Sequence, residues 1–172
     1  MADRDHIRSA FERSAKAVSL RPSVGQGTAV TKVRIRDGVL CDIEDGPWKL
    51  EADLGKGEGG EASAPDPGVF GRAALGACLA QAYVLWSVML DVPLDEVEVQ
   101  VHSDYDARGM FGVEGPAPGW TGLRYTVSVA SKAPEADVLR VLDAAEAHSP
   151  VLDDFSKSFD VGREVNIRTT GA

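Results

Sequence analysis

At 172 residues and 44% apolar side chains, the chain has the size of one compact domain with its own buried core. Its 18 Lys and Arg stand against 27 Asp and Glu, and the resulting net charge of -9 repels phosphate backbones and anionic lipid alike, so nucleic acid and membrane surfaces are poor partners. Cys41 and Cys78 form no paired spacing, and His6, His102 and His148 show no ligand spacing, so neither a disulfide framework, a metal site nor a cofactor is expected.

The amino terminus mixes charges of both signs and has no apolar signal core, which makes the cytoplasm the expected location. Ile7, Phe11, Ala15 and Val18 recur at helical spacing and predict an amphipathic helix from Arg4 to Leu20, ending before Pro22. Residues 1–27 are thus expected to be an accessory helix and linker, followed by a single domain over 28–172. From Thr28 to Arg36, the residues Thr31, Val33 and Ile35 alternate with Lys32, Arg34 and Arg36, the pattern of a half-buried strand with a basic outer row. Turn signals at Asp37-Gly38 and Asp45-Gly46 add return strands over Val39–Glu44 and Pro47–Asp53, completing a three-stranded meander.

Gly55 to Gly68 reads as a mobile surface loop; Glu58 and Glu61 among its glycines argue against a phosphate loop. Val69 to Leu90 is apolar over the roughly 20 residues that a membrane span needs. Arg72, Gln81 and Ser87 interrupt it, Asp66 and Asp91 flank it, and it reads instead as the buried central helix of a soluble protein. Val97, Val99 and Val101 alternate with Glu96, Glu98 and Gln100, and Leu123, Tyr125, Val127 and Val129 with Arg124, Thr126 and Ser128. Two long antiparallel strands joined by a Gly- and Pro-rich connection over 106–119 follow. Pro134 opens a helix that Pro150 closes, and Phe159, Val161, Val165 and Ile167 alternate in a predicted terminal strand. The order is an α+β layout with no βαβ repetition.

Four features together resemble the family of osmotically inducible protein C (OsmC) and the organic hydroperoxide resistance proteins. They are a Pro-containing loop opening a long apolar helix with Cys78 inside it, a Val-rich strand leading to Asp106-Ala107-Arg108-Gly109, a helix ending in the A-E-x-H-[CS]-P pattern over Ala145 to Pro150, and a final strand. The resemblance runs from about Thr28 to Arg168 and implies an intertwined homodimer, two antiparallel sheets wrapped around a pair of central helices. Active members resemble two-cysteine peroxidases. A first Cys attacks the peroxide, an Arg and a Glu tune it, and a second Cys just before the Pro resolves the sulfenic acid. The first maps onto Cys78. The second maps onto Ser149, and the Glu onto Gly68, with Asp66 and Glu61 nearby. Arg36 is the better match for the Arg and Arg34 the other candidate.

A peroxidatic thiol must ionise, and Cys78 lies about two turns inside an apolar helix, where burial raises a thiol pKa and the helix end gives little help. Its activation therefore depends on an Arg; otherwise Cys78 is a small buried hydrophobe. A charged row such as Lys32, Arg34 and Arg36 also occurs on purely solvated strand faces. Ser149, four residues after Ala145, either points inward as the resemblance implies or bonds local backbone. His148 and Cys41 read as structural. Two functions follow: reduction of organic hydroperoxides by Cys78 with an external thiol as reductant, or a non-catalytic dimer that binds a small hydrophobic ligand or persists as scaffold.

Overall fold

The computed structural model describes residues 3–169. The first helix, α1, covers Arg4–Leu20, with Asp3 capping it by accepting from the amides of Asp5 and His6. A meander follows, β1 Lys32–Asp37, β2 Leu40–Asp45 and β3 Trp48–Ala52, antiparallel throughout. Gly38 and Gly46 take the positive φ that two tight turns of the right hand require. The central helix α2 spans Pro67–Met89, opened by Pro67 and by Asp66, whose carboxylate accepts from the amides of Gly68 and Val69. Then come β4 Glu96–Tyr105, a one-turn helix α3 Ala107–Met110, β5 Trp120–Ala130, α4 Glu135–Glu146 and α5 Pro150–Ser156. Strands β4 and β5 form a separate antiparallel pair. This is the expected α+β layout with antiparallel sheets.

The core lies between α2, the β4–β5 pair and α4. Leu75, Leu79 and Tyr83 recur every four residues along one face of α2 and are buried with Ala145 against Val97, Val99, Val101, Leu123, Tyr125 and Val127. The period-2 pattern of the two long strands is what presents those side chains as one apolar face. Helix α2 is long and apolar enough to cross a membrane by length and composition, and here this face packs on protein. Its last turn is closed by α1, where Arg4 donates to the carbonyl of Ser87 and Arg8 to that of Val88 and to Asp91. Those cations supply the donors and positive charge that a helix carboxyl end lacks.

Three expectations are corrected. First, the strand expected from Thr28 begins at Lys32, and its Val33 and Ile35 are exposed rather than half-buried, because none of the described residues covers β1 on that face of the meander. Second, the segment 150–156 continues as α5: Pro150 ends α4 but is itself well placed in the first turn of the next helix. A single helical turn, α3, likewise interrupts the connection 106–119, where Asp106 caps it and pairs with Arg108. Third, the terminal segment with Phe159, Val161, Val165 and Ile167 is not a strand. It pairs with no strand of its own chain and these four side chains are exposed, Val161 at 91%. Alternation supplies a face, but a strand also needs a neighbour for its N–H and C=O groups.

The loop over 55–68 is tied to the meander through Asp53. Asp53, at the end of β3 and 3% exposed, accepts from the amides of Leu54, Glu61 and Ser63 and from the Ser63 hydroxyl, at 2.9 to 3.1 Å. The amide and hydroxyl of Ser63 hold its carboxyl below the usual carboxylate range. A lowered folded pKa stabilises the fold fully above the unfolded value of about 3.9 and loses that contribution as pH falls through the folded value. Asp53→Asn is therefore expected to lower stability by a constant amount near neutral pH and by a shrinking amount below about pH 4. Denaturant unfolding of both proteins at the two pH values measures this; a gap that does not shrink in acid would show that the carboxylate charge contributes nothing.

Candidate functional site around Cys78

Cys78 sits in the middle of α2, half-buried, beside the fully buried Leu79. Its Sγ lies 3.3 Å from Oγ of Ser149, 71 residues away in sequence. Ser149 is 2% exposed and stands between α4 and α5 rather than on the face of α4. Its backbone is used locally: the N–H donates to the carbonyl of Glu146 at 3.2 Å and the C=O accepts from Asp153 at 3.0 Å. The hydroxyl makes no capping bond to α5 and is left free to meet the sulfur. The hydroxyl of Ser149 thus points inward, toward α2. A hydroxyl at that distance can donate to a thiolate and so favour the charged form, but it has no sulfur with which to trap an oxidised thiol.

Arg36 lies elsewhere in this chain. It is exposed on the charged face of the meander, where its guanidinium pairs with Glu51 at 2.5 Å and Asp42 at 3.4 Å. The Glu51 hydrogen bond is the main reason its pKa is raised. Arg34 is exposed on the same face. Among the described residues the only side-chain hydrogen-bond partner of Cys78 is Ser149, so one chain brings Cys78 and Ser149 together and leaves Arg36 apart. Gly68 occupies the first turn of α2; nearby, the Asp66 carboxylate is spent on capping, and Glu61 is exposed. Arg72, on α2 itself, donates to Ser103 Oγ at 3.2 Å. Cys41 is a free, half-buried thiol in β2, paired in register with Ile35 and Ala52.

Two residues at this site were not singled out from sequence. Tyr83, 0% exposed, donates its phenol to Glu146 Oε1 at 2.7 Å. Burial and then that bond push the Tyr83 hydroxyl far above its ordinary range; burial and the Glu146 charge raise Tyr125 as well. The available signal was Glu146 inside the A-E-x-H-S-P pattern, three residues before Ser149. His148 between them turns away, its ring tilted against Trp86 at 4.6 Å and its Nδ1 2.8 Å from the carbonyl of Ala144.

A groove of about 490 Å³ runs between α1, α2 and β4, lined by Ile7, Val84, Leu94 and Val97 with Asp95 and Glu96 beside them. No group of three or more His, Cys, Asp or Glu among the described residues is placed to hold a metal ion.

Fold and site together define an α+β protein with a thiol in the middle of an apolar central helix, met by a hydroxyl at the start of a short second helix. The chain belongs to the OsmC-like protein family, whose model matches residues 59–162, a span that includes Cys78 and Ser149 and begins after the meander and α1. Among solved structures it is similar to the OsmC-like protein from Mycoplasma pneumoniae, with a TM-score of 0.62 and 13% identity over 76% of this chain and 89% of that one. It is also similar to a putative osmotic stress induced and detoxification response protein from Psychrobacter arcticus 273-4, with a TM-score of 0.58 and 12% identity over 74% and 88%. A third is the organic hydroperoxide resistance protein OsmC from Legionella pneumophila, with a TM-score of 0.54 and 18% identity over 74% and 88%. At these identities the likeness is one of fold. No curated protein sequence matches the chain.

Proposed function

We propose that the protein reduces organic hydroperoxides, as part of a response to oxidative stress, with Cys78 as its single redox thiol and an external thiol as reductant. The observation that carries this is the 3.3 Å contact of Cys78 with Ser149, at the place where the resemblance puts the two sulfurs of a peroxidase. The Cys78 thiolate attacks the outer peroxide oxygen, the O–O bond breaks, and the alkoxide leaves as an alcohol after taking a proton. Cys78 is then a sulfenic acid. An external thiol attacks that sulfur, water leaves, and a second thiol releases Cys78 from the mixed disulfide with a small-molecule disulfide as product. Ser149 donates to the thiolate before the attack and again when the thiolate is regenerated. Arg36, or Arg34, is proposed to reach Cys78 from a second copy, since in its own chain Arg36 is paired with Glu51 and Asp42.

The homodimer is supported by apolar surface that one chain leaves uncovered. Val33, Ile35, Trp48 and Leu50 are exposed on one face of the meander, and Ala73, Ala77 and Val84 along α2, a row too apolar for solvent. The helix before residue 28 is an accessory to a single domain in this reading, and the cytoplasm its location. Absence of an acid at Gly68 and the apolar groove beside α1 support a second reading, a non-catalytic dimer that binds a small hydrophobic ligand.

Consumption of cumene hydroperoxide with dithiothreitol separates the two. The wild type is expected to turn over, and Cys78→Ser to fall by at least about a hundredfold, since the nucleophile is gone. Equal rates would overturn the peroxidase in favour of the ligand-binding dimer.

A further inference from the structure

Tyr83 and Glu146 form a closed ring of contacts with the Cys78 site. The ring leaves α2 at Tyr83, whose phenol donates to the Glu146 carboxylate at 2.7 Å. The backbone carbonyl of Glu146 then accepts the N–H of Ser149 at 3.2 Å. Ser149 Oγ returns to α2 at Cys78 Sγ, 3.3 Å away. Both ends of the ring are therefore anchored on one helix, five residues apart. The turn that carries Ser149 lies between α4 and α5, and the Glu146 side chain ties its start to Tyr83 on α2, with Ala145 packed in the core beside it.

We infer that Tyr83 and Glu146 are positioning residues for the thiol: their hydrogen bond sets the turn that aims the Ser149 hydroxyl at Cys78. This inference rests on Cys78 being the reactive thiol of the proposed function. A buried tyrosine with a carboxylate partner also has a purely structural use, filling the α2–α4 interface and leaving no buried polar atom unsatisfied. The two uses differ in what they do to the sulfur. A hydroxyl that donates to the thiolate favours ionisation, so misaiming it raises the thiol pKa, whereas loss of packing alone lowers stability and leaves that pKa in place. Of the titratable groups on the elements packed against this stretch of α2, Tyr125 on β5, Glu146 and His148 at the end of α4, and Asp153 and Asp154 on α5 stand nearest in the fold, while β4 presents Val97, Val99 and Val101 to the core and carries Glu96, Glu98 and His102 exposed on its other face. His148 is turned onto Trp86, and both aspartates are exposed beside Lys157.

The test is the pH dependence of Cys78 alkylation by iodoacetamide, in a Cys41→Ser background so that one thiol reports. Ser149→Ala is expected to raise the midpoint by about one pH unit, a tenfold slower reaction below it. Tyr83→Phe is expected to move it the same way, and Tyr83→Phe with Ser149→Ala no further than Ser149→Ala alone, because the two act through one contact. Glu146→Gln keeps an oxygen acceptor for the phenol and removes a negative charge, so it does not raise the midpoint, while Glu146→Ala does. Should Glu146→Ala fail to fold, Tyr83→Phe, which changes only one hydroxyl, decides. Variants with lower melting temperatures and an unmoved midpoint would overturn the inference. Alkylation uses no peroxide, so a moved midpoint in a protein that does not consume hydroperoxide would sink the proposed activity and leave the positioning intact.

Discussion

Ser149→Cys is expected to turn a protein with a single redox thiol into one that closes an internal disulfide with one equivalent of organic hydroperoxide. The two atoms concerned are 3.3 Å apart, and the hydroxyl already points at the sulfur. A disulfide needs a bond of about 2.05 Å and alpha carbons within about 7 Å; the longer C–S bond of the substituted residue closes part of the gap. The bridge would join positions 71 residues apart, which the chain-entropy model values at about 4 kcal/mol, less any strain. A higher melting temperature after oxidation, reversed by dithiothreitol, accompanies it. Intact mass reads the chemistry directly: loss of two hydrogens in Ser149→Cys, gain of one oxygen in the wild type. With excess peroxide the wild type gains a second oxygen, because nothing internal traps the sulfenic acid. An oxygen adduct in the substituted protein, with no hydrogen loss, would show that the 3.3 Å contact does not persist through oxidation.

The second large effect concerns assembly. Ile35 is 67% exposed within one chain, so placing a charge there is nearly neutral for the isolated fold. If a second copy covers that face of the meander, Ile35→Asp buries an unpaired carboxylate, at several kcal/mol. The wild type is then expected to scatter light as a dimer at micromolar concentration, and Ile35→Asp as a monomer, with a dissociation constant raised at least about a hundredfold. Lys32→Asp, on the same strand but its opposite charged face, serves as the control and is expected to remain dimeric. A wild-type monomer, or dimers in all three, would remove the covered meander face from the account. A monomer would also leave Arg36 without a route to Cys78, since its own chain holds it against Glu51 and Asp42.

Much of the fold could be read directly. The 3.6-residue period of Ile7, Phe11, Ala15 and Val18 corresponds to α1, and the strict alternation in 96–105 and 120–130 to the paired strands β4 and β5. The two Asp-Gly turns fall where the meander reverses. The short helix α5 was hidden because a proline both ends one helix and begins the next. The terminal segment misled for the opposite reason: its alternation is present, but it pairs with none of the edges of the two sheets, and pairing is decided by tertiary placement.

The site divides along the same line. The family resemblance singled out Cys78, and Ser149 in the A-E-x-H-S-P pattern, because such patterns survive as one-dimensional signals. It also fixed on Arg36 and Arg34 as a basic row, yet could not see Asp42 and Glu51 across the strands, since cross-strand partners are set by register rather than by neighbourhood in the chain. Tyr83 was indistinguishable from any aromatic residue on an apolar helix. Only packing α4 on α2 put a carboxylate 2.7 Å from its hydroxyl and, one turn on, a serine against the thiol. Periodicity and turn chemistry are local and therefore legible. Which side chains meet across 63 or 71 residues is decided by burial of the α2 face, a property of the whole core.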